Sequence, residues 1–226
     1  LGGFVIQSTP GENFNTFNVN FDYRIWDGSG ADGISLSFAP DINNDAGAGE
    51  EGEGTGIILK LDTYDNNAGE TGSQIRVSYN GTEIWTNSVG TFDLRNSNYR
   101  NIDLYVDDTG HLFLTIDEIP IINNLTISGY TTANKSTWKF KFSGRTGGLN
   151  DAHRIDNLKL QFGNDASLNV SPTVDTYYRT VLSNTSCSVC IIKLLTFKSS
   201  LNLLILGAPI STDTKTIFLF SFVNSF

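Results

Sequence analysis

Apolar and polar residues alternate one by one along most of the chain. In FNTFNVNFDYRIW (14–26), Phe17, Val19, Phe21, Tyr23 and Ile25 share one side, and Asn18, Asn20, Asp22 and Arg24 the other. A period of two over that length predicts a half-buried antiparallel strand. After a turn at Asp27-Gly28-Ser29-Gly30, Ile34, Leu36 and Phe38 repeat the pattern. The same reading predicts strands at 57–63, 74–79, 82–85, 100–106 and 111–116. It continues at 135–142, with Trp138, Phe140 and Phe142 set against Lys139 and Lys141, and at 153–162, with a shift near Asp156-Asn157. Asn80-Gly81 is a hairpin signal, and Asp107-Asp108-Thr109-Gly110 and Asp117-Glu118 mark further turns. The last of these precedes Ile119, Ile121, Ile122 and Leu125.

No stretch of 1–164 holds a helical period. Ten or more short strands with turn chemistry between them predict one all-β domain, an antiparallel two-sheet jelly-roll sandwich. At roughly 25 cal/mol per Å² of buried apolar surface, its Phe, Ile and Leu positions can drive folding without disulfides. Residues 39–56 interrupt the pattern with Gly and Ala and, apart from Ile42, no large apolar residue. They read as a long irregular loop, either functional or a surface excursion.

Residues 165–226 differ. A linker-like stretch at 164–173 leads into the apolar runs 190–195 and 201–210, with Lys193 and Lys198 as interruptions. Neither run reaches the ~20 residues of a membrane span, so no membrane insertion is expected. This C-terminal tail is of uncertain structure: the start of a second β module, or a poorly folded end.

Composition sharpens the picture. The net charge is −9, and 21 of the 24 acidic residues lie in 1–164 with 11 of the 15 basic ones. An acidic domain disfavours nucleic acid, whose phosphates need cationic side chains, and suits cations such as Ca²⁺. The two cysteines, Cys187 and Cys190, both lie in the tail, so no disulfide framework holds the main domain. Asn80, Asn124, Asn134, Asn169 and Asn184 begin N-x-Ser/Thr acceptors, which permit a secreted protein. The chain has no Met and reads as a processed piece or fragment.

The stretch Gly56 to Gly72, GIILKLDTYDNNAGETG, concentrates chemistry. An apolar run ends in Asp62, and Asp65, Asn66 and Glu70 follow within eight residues. Oxygen-only ligands on a short loop suit a hard cation. The alternative is that these side chains make turn hydrogen bonds without metal.

Three blocks, in order, resemble the concanavalin A-like lectin superfamily, particularly L-type (legume-type) lectin domains. They are Gly30-Ala31-Asp32-Gly33 before ISLSF, Leu61-Asp62-Thr63-Tyr64-Asp65-Asn66, and Phe142-Ser143-Gly144-Arg145-Thr146-Gly147 before His153 and IDNLKLQF. The resemblance spans 14–163. It implies a concanavalin A-like sandwich in which Asp32 follows a cis peptide bond and hydrogen-bonds sugar hydroxyls. It implies a Ca²⁺ site from Asp62, the Tyr64 carbonyl, Asn66 and Glu70, with Asn66 also reaching the sugar. Gly52 or Gly54 would give a backbone N–H to the sugar, and 147–152, with Gly148, Leu149 and Asn150 at its tip, would form the specificity loop. Tyr64 and Trp85 are candidates for an aromatic platform. The family's second, transition-metal site uses a Glu where this chain has Lys60, so that site is expected to be absent. Lys60 would also set an ammonium beside the calcium ligands.

The same sandwich carries β-glucanases, which need two carboxylates flanking the scissile bond. Their Glu-x-Asp-x-x-Glu signature is here Lys60-Leu61-Asp62-Thr63-Tyr64-Asp65, without Glu. Neither His111 nor His153 lies in a nucleophile-elbow context. The chain therefore reads as a non-catalytic carbohydrate-binding domain of an extracellular or cell-surface protein, with glycans or glycoproteins as partners. The alternatives are an adhesion module of the same fold without an active sugar site and, less favoured, a glycoside hydrolase.

Overall fold

The computed structural model describes residues 2–7, 13–44, 48–64, 73–87 and 93–163, and the backbone of strands at 166–170, 178–179, 195–196 and 215–219. Two sheets face each other. The six-stranded sheet runs β1 (Gly2–Gln7), β10 (Lys139–Arg145), β3 (Gly33–Ala39), β4 (Ile57–Asp62), β5 (Gln74–Tyr79) and β6 (Thr82–Thr86), antiparallel throughout. The seven-stranded sheet runs β15 (Lys215–Leu219), β12 (Ala166–Val170), β11 (Ala152–Phe162), β2 (Phe17–Trp26), β7 (Arg100–Val106), β8 (His111–Ile116) and β9 (Ile119–Thr126). Only β12 and β15 in it are parallel. The short strands β13 (Tyr178–Arg179) and β14 (Leu195–Thr196) pair with each other.

The core lies where the alternation puts it. Phe17, Val19, Phe21, Tyr23 and Ile25 of β2 are buried, with partly buried residues between them. They meet the other sheet through ring contacts such as Phe21–Phe142 and Phe17–Phe38, both with centroids 5.0 Å apart. Phe38 stacks on Phe140 across β3 and β10, at 4.2 Å. Asn80 and Gly81 close the β5–β6 hairpin with positive φ at both positions, as do Asp117 and Glu118 between β8 and β9. The expected shift near Asp156 is a bulge, where β11 changes register against β2 with Asn157 at φ 50°.

Three features depart from the sequence reading. First, β1 is an edge strand on β10 that its Gly2-Gly3 start conceals, because glycine carries little strand preference. Second, the strand expected from Lys135 begins at Lys139. Lys135 instead turns inward, donating through Nζ to the carbonyls of Tyr130 and Ala133 at 2.8 and 2.7 Å. Burial lowers its pKa. Third, β3 is buried on both faces rather than one.

The loop of 39–56 explains the third. Its described part folds back across the outer face of the six-stranded sheet as a strap containing a short 3₁₀ turn, Gly49–Glu51. Ser35 Oγ donates to the Gly49 carbonyl at 2.7 Å, and the Glu53 amide donates to Ser37 Oγ at 2.9 Å. Asp41 closes the strap by accepting from the Thr55 amide at 2.7 Å. The sheet face beneath is basic: Lys60, Arg76, Lys139, Lys141 and Arg145 all bond to strap residues. Among the described residues no helix is long and apolar enough to cross a membrane.

Candidate functional site

Asp32 stands just before β3, after a cis Ala31–Asp32 peptide. Its amide donates to the Arg145 carbonyl at 3.0 Å. Its own carbonyl accepts from the Thr63 amide at 2.8 Å and from Thr63 Oγ1 at 3.0 Å. The backbone is thus pinned between the end of β10 and the end of β4. Gly33 makes this possible: at φ +146°, a Cβ there would lie 2.2 Å from the Leu61 carbonyl oxygen. The Asp32 side chain is nearly buried, and Arg145 Nε donates to its Oδ2 at 2.9 Å. The other end of that guanidinium reaches Glu50 Oε1 at 2.6 Å. Burial raises the Glu50 pKa, opposed in part by Arg145.

Asp32 opens into a cleft of about 500 Å³. Ala31, Asp32 and Arg145 line it together with Tyr64 and the loop Thr146 to Leu149. Tyr64 is 38% and Leu149 39% exposed, so both offer apolar surface at its rim. The loop is held from behind. Gly147 N–H donates to the Leu149 carbonyl at 2.9 Å, and the Asn150 carbonyl accepts from the Ser29 and Gly30 amides at 2.6 and 3.1 Å. Arg95 ties the adjacent segments together: it donates to both oxygens of the fully buried Asp151, at 2.6 and 3.0 Å, and to the Gly28 carbonyl at 3.1 Å. His153 lies behind the cleft floor, beside Ala31. Burial pushes its pKa down to about 4, against the opposing pull of Asp151 and Asp32.

The expected residues therefore separate. Asp32, Tyr64, Gly148 and Leu149 converge on one cleft. Gly52 and Gly54 do not line it: they lie where the strap crosses the sheet, Gly52 against Ile58 and Ser37 and Gly54 against Ala39 and Asp41. The Gly52 amide donates within the strap, to the Gly49 carbonyl at 3.3 Å. Asn66 and Glu70 lie outside the described residues. Trp85 packs against the core.

Asp62 has protein partners at both oxygens. Oδ2 accepts from Arg76 Nη2 at 2.6 Å, and Oδ1 accepts from the Tyr64 amide at 3.0 Å. Ca²⁺ takes roughly six to eight oxygen ligands, and a guanidinium in contact with the carboxylate both competes for it and repels the ion. At Asp62, the described carboxylate of the expected calcium set, the counter-charge is a guanidinium. Among the described residues no group of three His, Cys, Asp or Glu side chains is placed to hold a metal. The Lys60 ammonium bonds to Glu51 Oε2 at 2.6 Å, and the cation in contact with Asp62 is Arg76. Positions 60 and 76 face each other across β4 and β5, so both cations reach the strap carboxylate above them.

Arg76, Arg145, Glu50 and Glu51 carried no assigned role in the sequence reading. Their signal was present but incomplete. Gln74, Arg76 and Ser78 mark a polar strand face, and 50–53 gathers three glutamates, yet nothing local says that the two surfaces meet.

No protein-family model matches the sequence, and no curated protein matches it. Solved structures do. Lectin II from Ulex europaeus superposes with a TM-score of 0.55 at 17% identity, over 71% of this chain and 79% of that one. The exoplasmic/lumenal domain of VIP36, in its Ca²⁺/Man3GlcNAc-bound form, superposes with a TM-score of 0.50 at 19% identity, over 72% of this chain and 82% of that one. Together with the two-sheet topology, these matches establish that the chain has the concanavalin A-like fold of the L-type lectin domains.

Proposed function

We propose that the chain is a non-catalytic carbohydrate-binding domain that takes a sugar in the cleft above Asp32. The observation that carries this is the pairing of a nearly buried carboxylate with exposed apolar walls. A carboxylate accepts the hydroxyl donors of a pyranose through charge-assisted hydrogen bonds. An aromatic face such as that of Tyr64 packs against the C–H face of the ring. Concave sites with few convergent polar groups are the usual form of a small-ligand site. Arg145 fixes the carboxylate in orientation and balances its charge.

Glycans or glycoproteins of an extracellular or cell-surface setting are the partners this reading names. Glu50 is tied to the same guanidinium as Asp32 but does not line the cleft, which weighs against a pair of carboxylates flanking a scissile bond. Hydrolysis is excluded if no reducing ends are released from β-glucans.

One observation favours a second reading, an adhesion module of the same fold without a working sugar site: Asp32 and Asp62 already bond to arginines. A glycan array with wild type, Asp32→Ala and Tyr64→Ala, each in calcium and in EDTA, separates the two. Binding by wild type that both substitutions abolish supports the lectin reading. No binding under either condition supports the adhesion reading.

A further inference from the structure

We infer that Arg76 supplies internally the positive charge that a bound divalent cation would otherwise bring to the base of the cleft, so that the cleft is organised without calcium. The inference rests on the proposed site only for its consequence, because the charge network stands whether or not a sugar binds.

Asp62 is 1% exposed, and a carboxylate buried that deeply requires a counter-charge and hydrogen bonds. Arg76 Nη2 supplies both, at 2.6 Å from Asp62 and 2.5 Å from Glu51. Lys60 takes the other oxygen of Glu51 at 2.6 Å. Arg76 is thus shared between two carboxylates, and a third, Glu83 Oε2, lies 3.9 Å from its Nη1. A divalent ion added beside Asp62 would sit against the Arg76 guanidinium.

Two paths lead from Arg76 to the cleft. In the first, Asp62 Oδ1 accepts from the Tyr64 amide and so sets the turn that carries Tyr64 to the rim. Thr63, between them, donates its amide and its hydroxyl to the Asp32 carbonyl. In the second, Glu51 is one residue from Glu50, which holds Arg145, which holds the Asp32 carboxylate. Arg76 does not line the cleft. It is a positioning residue that joins the end of β4 to the strap, and both of these elements fix Asp32.

The test uses the intact chain, calcium chloride and EDTA, with no sugar. Calorimetric titration of wild type with calcium is expected to show no saturable binding, and the Tm to be the same in calcium as in EDTA. In EDTA, Arg76→Gln lowers the Tm by several degrees, and Arg76→Lys, which keeps the charge, recovers part of the loss. Arg76→Gln also acquires a calcium-dependent rise in Tm that wild type lacks, a response that simple loss of packing would not produce. Saturable calcium binding with a raised Tm in wild type overturns the inference. So does an Arg76→Gln chain with an unchanged Tm or without any calcium response. If Arg76→Gln does not fold, the wild-type titration decides alone. A blank glycan array would remove the proposed function and leave this result standing.

Discussion

At the scale of single residues, the Asp32 carboxylate is shared between its own cleft and Arg145, and the backbone around it leaves no room for change. Asp32→Ala should reduce glycan affinity by about tenfold or more, or about 1.4 kcal/mol, as read by titration with the best array ligand. Gly33→Ala should cost roughly 1–3 kcal/mol in urea unfolding, since its new methyl meets the Leu61 carbonyl. His153 gives a pH signature. Its folded pKa of about 4 lies below the ordinary value of 6.5, so the unfolded chain binds the extra proton first as pH falls. Its contribution to stability is fully present above pH 6.5 and is lost as pH falls through that value towards about 4, by up to about 3 kcal/mol in all. A stability profile by denaturant should show this slope, and His153→Gln should flatten it. Of these residues, Asp32 was legible in the sequence because Ala-Asp-Gly is a local motif. Arg76 and Arg145 were not, because alternation marks a side chain as facing away from the core without saying what lies against it.

At the scale of elements, the strap over 39–56 is the departure with the largest physical content. A run rich in Gly and Ala with three glutamates looks like a solvated excursion. It is instead the polar lid of a sheet whose outward face is cationic, and it covers that face with Ile42 as its one large apolar residue. The energetic weight of its ion pairs should follow their burial. Lys141 is 0% exposed in its side chain and Glu53 18%, so Glu53→Ala, which takes the carboxylate from a buried ammonium, should destabilise by about 3 kcal/mol. Glu51 is 42% exposed, so Glu51→Gln should cost only roughly 1 kcal/mol after solvent screening, despite its two basic partners. Equilibrium unfolding of the two variants checks the order, and a reversed order would contradict this account of the strap. The strands themselves were legible wherever one face is apolar, as in β2, β7 and β8. Strand β3 was legible as a strand but not as a doubly covered one, since its serines match a solvated face as well as a lidded one.

At the scale of the whole molecule, the sandwich was legible because its evidence is distributed. Many short alternating segments, turn residues between them and an absence of helical period all point the same way. What they do not encode is which strands are neighbours. That order comes from non-local packing, and it places β1 against β10 and β2 against β11.

This pairing has a consequence for the birth of the protein. Phe17 lies opposite Phe162, and Gly2 opposite Gly144. Strand β1 therefore pairs only with β10, and β2, which also pairs with β7, gains its other neighbour only when β11 is made. Pairing at such sequence separation must offset a large loop-closure entropy before any contact rewards it, so folding should be slow compared with helical chains of similar size. A nascent chain halted at residue 138 has β2 and β3 without β11 and β10, and both sheets are open at their middles. Such a chain should be digested rapidly by protease, whereas one extended through residue 163 should resist.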